Sequence, residues 1–181
     1  MKKVIFTLAT LVVSSTAFAQ AYVGIAGGAS KQNIDCSGLS SCDTSATGFK
    51  VYTGVKFTPM FAGELSYTDF GKVKATYFTV SAGYQTTAVS IGGAFFAPLA
   101  PDLNAVFRLG VSSNKAKLTA SVSGFSTSDS ETHTAPYLGL GLGYEVTRGL
   151  SINGAIDATK TRYGDEKSNA TLLSVGLSYT F

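Results

Sequence analysis

Tryptophan is missing from this chain, histidine occurs once, cysteine twice and proline four times, and charged residues fill only 14% of 181 positions. Each shortage excludes something. A single histidine, His133, lying far from Cys36 and Cys42, argues against a metal centre. Charge well below the ~25% of an ordinary globular protein argues against a broadly solvated surface. Beyond the first 20 residues no apolar run approaches the ~20 residues a membrane helix needs. The glycines open no helix after a strand, so no phosphate-cradling loop is present. No cofactor is expected.

The first 19 residues read differently from the rest. Lys2 and Lys3 form a basic head, Val4 to Val13 a short apolar run, and Ala17 to Ala19 a small-residue cleavage site. This is the pattern of a secretory signal peptide, 1–19, leaving 20–181 as one domain. Two lysines leave with it, so fourteen basic residues become twelve against eleven acidic ones. No basic excess remains to suit nucleic acid. Export also sets the redox compartment. Cys36 and Cys42, in "DCSGLSSCD", are expected to close a small disulfide loop, with two free thiols as the alternative. So short a loop restrains local motion more than it adds global stability.

Twenty glycines, nine tyrosines and twelve phenylalanines are set into period-two alternation, the strand signal. The alternation predicts eight strands at 21–31, 46–57, 61–71, 86–97, 103–114, 134–146, 150–162 and 169–181. Residues 72–85 also alternate and read as hairpin extension or loop, because bacterial single-chain barrels carry even strand numbers. The connections "TPM", "PLAPD" and "TRG" are short. Those at 32–45, 72–85, 115–133 and 163–168 are mostly longer and rich in Ser, Thr, Gly, Asp and Lys. Short and long ends alternate as in an up-and-down barrel. Pairing across the turns sets Gly54 opposite Glu64, Leu142 opposite Gly154, Tyr144 opposite Ile152 and Phe95 opposite Ala105, which keeps the apolar faces aligned.

One face carries Val51, Val55, Leu65, Ile91, Phe107, Leu109, Leu138, Leu140, Leu142, Ile152, Ile156 and Val175. The other carries Lys50, Lys56, Glu64, Ser66, Arg108, Glu145, Asn153 and Asp157 among small residues. Its few charges are of both signs, which suits a narrow closed interior. The bulky face then suits hydrocarbon, where closure satisfies every strand backbone. The expected fold is an all-β, eight-stranded antiparallel transmembrane barrel. Tyr22, Phe57, Phe61, Phe95, Tyr144, Tyr179 and Phe181 fall near the short-turn end, and Tyr67, Phe70, Tyr84 and Tyr163 near the other, as two interfacial girdles. Lys56, Glu64, Arg108 and Asp157 are expected to form an interior ion network, with Lys56 diagonal to Glu64 and Arg108 reaching across the lumen. That network is either structural charge compensation or the gate of a narrow path.

At the C-terminus "LLSVGLSYTF" resembles the last strand of the outer-membrane protein A (OmpA)-like eight-stranded barrels. "PMFAGELSYTDFG" at 59–71, "FRLGV" at 107–111 and "GLGYEVTRGLSINGAI" at 141–156 resemble further parts of that family. The resemblance implies that Phe181, with Tyr179 and Leu177 behind it, is the signal read by the outer-membrane assembly machinery. It implies an interior salt bridge to which Glu64 and Arg108 contribute, while Gly143 and Asn153 stand where further charged partners would be expected. The family's peptidoglycan-binding domain is not among these residues, so cell-wall tethering is not carried over.

The resulting expectation is a small integral outer-membrane barrel with a structural or surface-interaction role, holding four loops outside the cell. Its expected partners are outer-membrane lipid, lipopolysaccharide, the assembly machinery and a host or other external surface. Three alternatives stay open: a low-conductance channel, a lipid A-modifying enzyme built around His133 and Glu131, and a soluble periplasmic lipid-binding barrel.

Overall fold

The computed structural model describes residues 20–33, 41–42, 44–77, 80–122, 125–163 and 166–181. Nine strands follow in chain order: β1 (Gln20–Gln32), β2 (Ser41–Cys42), β3 (Ser45–Lys56), β4 (Phe61–Tyr77), β5 (Val80–Ala100), β6 (Leu103–Val122), β7 (Phe125–Thr147), β8 (Leu150–Tyr163) and β9 (Glu166–Thr180). Strand β2 is a two-residue addition, paired with β4 at Ala75 and Thr76. The other eight form the barrel. Each pairs antiparallel with its neighbours in sequence, and β1 returns to β9, with Ile25 opposite Leu177. Closure leaves no sheet edge along the spanning region, which is what a strand bundle in hydrocarbon requires. Residues 1–19, read from the sequence as a signal peptide, and Cys36 of the expected Cys36–Cys42 disulfide lie outside the described residues.

The alternation sorts the faces as its chemistry demands. Leu138, Leu140 and Leu142 point outward and are 56%, 57% and 52% exposed. The outward set also includes Val51, Leu65, Ile91, Phe107, Leu109, Ile152, Ile156 and Val175. Lys50, Glu64, Ser66, Arg108 and Asp157 point inward and are buried. A water-soluble barrel would reverse these faces, so the periplasmic soluble reading is set aside.

Four differences from the sequence reading have identifiable causes. First, residues 72–77 and 80–85 are strand rather than loop. They continue the β4–β5 ladder from Lys72 opposite Gln85 to Tyr77 opposite Val80. The interruption at "DFGK" is a β-bulge. Gly71 adopts φ 75°, its N–H donates to Asp69 Oδ1 at 2.8 Å, and both Phe70 and Val73 end up inside. A Cβ at Gly71 would stand 2.3 Å from the Thr47 carbonyl oxygen, so only glycine fits there.

Second, 115–133 and 163–168 are largely hairpin ladder too. The β6–β7 pairing runs out to Val122 opposite Phe125, and β8–β9 to Tyr163 opposite Glu166. The outer ends are therefore paired ribbons. Only β6 accompanies β7 above Tyr137, because the β7–β8 pairing starts there.

Third, Phe95 faces Phe107 rather than Ala105. Strand β5 runs on to Ala100 through an irregularity at Pro98, so the turn shortens from the five residues of "PLAPD" to Pro101 and Asp102. The slip is two residues, and the facing is preserved. The other two turns pair as expected, with Gly54 opposite Glu64 and Leu142 opposite Gly154.

Fourth, the girdles are thinner than their levels along the strands suggest. Phe57, Phe61, Tyr144, Tyr179 and Phe181 face out at the short-turn end, and Tyr67 faces out at the other. Phe61, Phe95 and Phe107 form a ladder of rings, with centroids 5.0 and 6.3 Å apart. Tyr22 and Phe70 instead point inward and are 4% and 1% exposed. Tyr84 also turns in, its hydroxyl 3.4 Å from Thr161 Oγ1. Height along a strand does not determine face; parity and the bulge do. The Tyr163 side chain lies outside the described residues.

Candidate functional site

The lumen is filled in layers. At the outer end Phe70, Ala88, Ala170 and Leu172 form an apolar plug. Beside it Gln32 donates to the Phe70 and Gly71 carbonyls at 3.3 and 3.2 Å, and accepts from Thr86 at 2.8 Å. Ser112, Asn114 and Thr159 form a second hydrogen-bonded set, with Asn114 Nδ2 3.0 Å from Thr159 Oγ1 and the two hydroxyls 2.7 Å apart.

Midway down lies the charge cluster. Five strands supply its charged groups and the tyrosine that joins them: Lys50 from β3, Glu64 from β4, Arg108 from β6, Tyr137 from β7 and Asp157 from β8. Arg108 Nε is 3.0 Å from each carboxylate oxygen of Glu64. Lys50 Nζ is 3.0 Å from Asp157 Oδ1 and 3.7 Å from Glu64 Oε1. The ammonium also donates to the Tyr137 hydroxyl at 2.7 Å, and that hydroxyl donates to Asp157 Oδ1. From β1, Tyr22 donates to Glu64 Oε2 at 3.1 Å. Two cations thus meet two carboxylates, and no charged member is more than 7% exposed. Burial of this kind is tolerable only when the charges are matched and hydrogen-bonded; each charge here is paired, and the second oxygen of Asp157, Oδ2, is the one buried carboxylate atom of the cluster without a hydrogen-bond partner among the described residues. The cluster is a neutral wall across the lumen.

Of the four residues read as a network from the sequence, Glu64, Arg108 and Asp157 come together and Lys56 does not. Lys56 is the last residue of β3, where the lumen opens to water, and its amine sits 4.7 Å over the Phe96 ring. Lys50 takes the place expected for it. The barrel's stagger brings Lys50, six residues up the strand, level with Glu64 and Asp157. Lys50 was visible as a charge on the small-residue face, but strand register alone carries no information about levels across a lumen. Tyr52 shares the inward face with Lys50 as its alternation indicates, whereas Tyr22 and Tyr137 were not expected to take part in the cluster. Tyr22 stands opposite Gly54 and Tyr52 opposite Gly24, each ring lying over the partner's missing side chain. That reciprocal tyrosine–glycine pairing is a readable signal for inward aromatic rings.

Gly143 and Asn153 are paired across β7 and β8, and Asn153 Nδ2 reaches Ser178 Oγ at 2.8 Å. His133 is half-buried in β7 opposite Asn114, in the outer ribbon. Among the described residues no three or more His, Cys, Asp or Glu side chains are grouped to hold a metal. Leu177, Tyr179 and Phe181 all face outward, and the Tyr179 and Phe181 rings stack edge-on at 5.1 Å.

Residues 5–181 match the family model described as "Outer membrane protein beta-barrel domain". The chain belongs to that family. As a member of the outer membrane β-barrel family it is a multi-pass outer-membrane protein, and the short turns mark its periplasmic end. Several solved barrels share the fold at low identity. The attachment invasion locus protein Ail of Yersinia pestis is 18% identical, with a TM-score of 0.59 over 91% of this chain and 100% of that one. Neisserial surface protein A gives 15%, 0.62, 89% and 97%. The N-terminal barrel of Pseudomonas aeruginosa OprF gives 14%, 0.56, 92% and 100%. No curated protein sequence matches the chain. The likeness reaches the small eight-stranded outer-membrane barrels as a group rather than the OmpA-like ones in particular.

Proposed function

We propose that this barrel is a sealed scaffold that presents its outer ribbons at the cell surface. The observation that carries this reading is the pairing of an interior blocked by the Lys50–Glu64–Arg108–Asp157 cluster with ladders reaching far beyond the spanning region. Strand β7 has 23 residues, about twice the ~9–11 a crossing needs. A ladder-paired ribbon of that length costs less to order on binding than a free loop does. The related fold of Ail has been solved in complex with the heparin analogue sucrose octasulfate, and a polyanionic external surface is a suitable probe here. Replacing residues 117–130 by a two-residue turn is expected to leave the barrel in the outer membrane while most binding of intact cells to heparin-coated plates disappears. Unchanged binding would remove the ribbon from this role.

A second partner follows from charge placement. Lys31, Lys72, Lys115, Lys117 and Lys160 are exposed at the outer end of the barrel, on the lipid-facing side or just above it. Their ammonium groups suit the phosphates of lipopolysaccharide. The triple change Lys115→Gln, Lys117→Gln and Lys160→Gln is expected to lower the lipopolysaccharide that co-purifies severalfold; equal co-purification would refute the contact.

The OmpA-like assembly role of Leu177, Tyr179 and Phe181 is carried into this reading as well. Deleting Phe181 is expected to reduce the outer-membrane fraction of the chain strongly and send the remainder to periplasmic degradation. A pulse-chase that finds normal insertion would dismiss the signal.

A further inference from the structure

Below the charge cluster the lumen is not filled. An eight-stranded barrel leaves room for little beyond its own side chains, yet a cavity of about 410 Å³ opens here toward the periplasm. The cause is compositional. On the β6, β8 and β9 side the inward positions nearest the mouth hold small or amide residues, among them Asn104, Asn153 and Ser178. On the β1, β3 and β5 side they hold rings. Tyr22 meets Tyr52 edge-on at 6.3 Å and Phe96 edge-on at 5.9 Å. Tyr22 and Tyr52 are buried, with Ala62, Ala94 and Val106 packed behind them.

The chamber therefore has an aromatic wall, a hydrogen-bonding wall and a closed roof. Its roof is the Arg108–Glu64 pair, so a guest enters and leaves by the same mouth. Lys56 stands at that mouth, half-buried over Phe96, and takes part in none of the ion pairs formed among the described residues. The acid across from it, Glu145, acts on the Lys56 charge and also accepts the Gly149 N–H at 3.2 Å, while Arg148 brings a second cation to the mouth. A chamber of this volume, with an aromatic side and several placed polar groups, has room and partners for a small polar molecule.

We infer that this periplasmic chamber binds a small organic anion carrying a flat apolar ring. The ring lies against Tyr22, Tyr52 and Phe96. The carboxylate faces the Lys56 ammonium, and Asn153 and Ser178 serve the polar edge. The guest is held in a blind pocket and does not cross the membrane through it.

The test uses the full mature chain in detergent micelles, with benzoate as probe and benzyl alcohol as its uncharged counterpart. Chemical shifts of the labelled protein are followed during titration. Expected are saturable benzoate shifts confined to Tyr22, Tyr52, Phe96 and their neighbours, about tenfold weaker binding in Lys56→Gln, equivalent to 1.4 kcal/mol, and loss of the shifts in the cavity-filling Asn104→Phe. A second readout, Lys56→Arg, keeps the charge and is expected to restore binding even where Asn104→Phe folds poorly. Shifts that are absent, that spread over the outer face, or that persist in a folded Asn104→Phe barrel would overturn the site. Benzyl alcohol binding as tightly as benzoate would overturn its preference for an anion.

Discussion

Replacing Glu64 with alanine is expected to destabilise the barrel by about 3–5 kcal/mol, the usual cost of leaving a buried charge without its partner. Arg108 Nε has both Glu64 oxygens at 3.0 Å and is walled in by neighbouring strands, so water cannot replace the carboxylate without opening the lumen. Lys50 loses its second acid in the same step, although Asp157 at 3.0 Å retains it, and Tyr22 loses its acceptor. The double replacement Glu64→Leu with Arg108→Met is expected to recover most of the loss, because it removes both charges and keeps apolar volume. Urea unfolding of the refolded barrel, followed by the gel shift between folded and unfolded forms, measures both. A single variant within about 1 kcal/mol of the parent protein, the scale of an exposed pair, would show that the cluster is solvated. The sealed-scaffold reading would then fail with it.

The second large effect concerns the outer face. Leu140→Arg is expected to cost about 2–4 kcal/mol, the penalty for a cation near the bilayer midplane on a lipid-facing strand. Leu140 lies between Leu138 and Leu142 in the apolar band, 57% exposed, with Tyr144 marking the periplasmic border below. Thr134→Arg is the matching control. Thr134 is also outward and exposed but stands near the outer border, where the same charge costs about 0–1 kcal/mol. A gradient between the two positions locates the hydrocarbon. Equal costs would mean that Leu140 does not meet lipid, and the inward-outward assignment of every strand would have to be reconsidered.

Both predictions depend on facing, and facing was legible from the residues. A period-two pattern survives any even slip in register, which is why Phe95 paired with Phe107 instead of Ala105 without turning a single side chain over. The strand ends were less legible. "DFGK" resembles a turn, but Gly71 at φ 75° makes it a bulge inside a continuing ladder, so β4 runs six residues past the expected end at Gly71, to Tyr77. Ser- and Thr-rich stretches such as 115–133 resemble loops because polarity on both faces erases the alternation. Above the membrane both faces of a ribbon meet water, and nothing selects apolar residues there.

The charge cluster divides in the same way. That charges of both signs belong inside followed from their sharing a face with glycine and serine. Which charges meet did not. Lys56 adjoins Glu64 diagonally on paper, yet Lys50 reaches it, because the tilt of closed strands raises one side of the lumen relative to the other. By itself, then, the sequence determined that there would be a closed barrel, which side of each spanning strand turns inward, and that charges of both signs share that side, since all of these follow from the chemistry of alternate residues. Only closure in three dimensions decided the partners across the lumen and the chamber left open beneath Arg108, because each depends on the stagger between strands, a property no single strand carries.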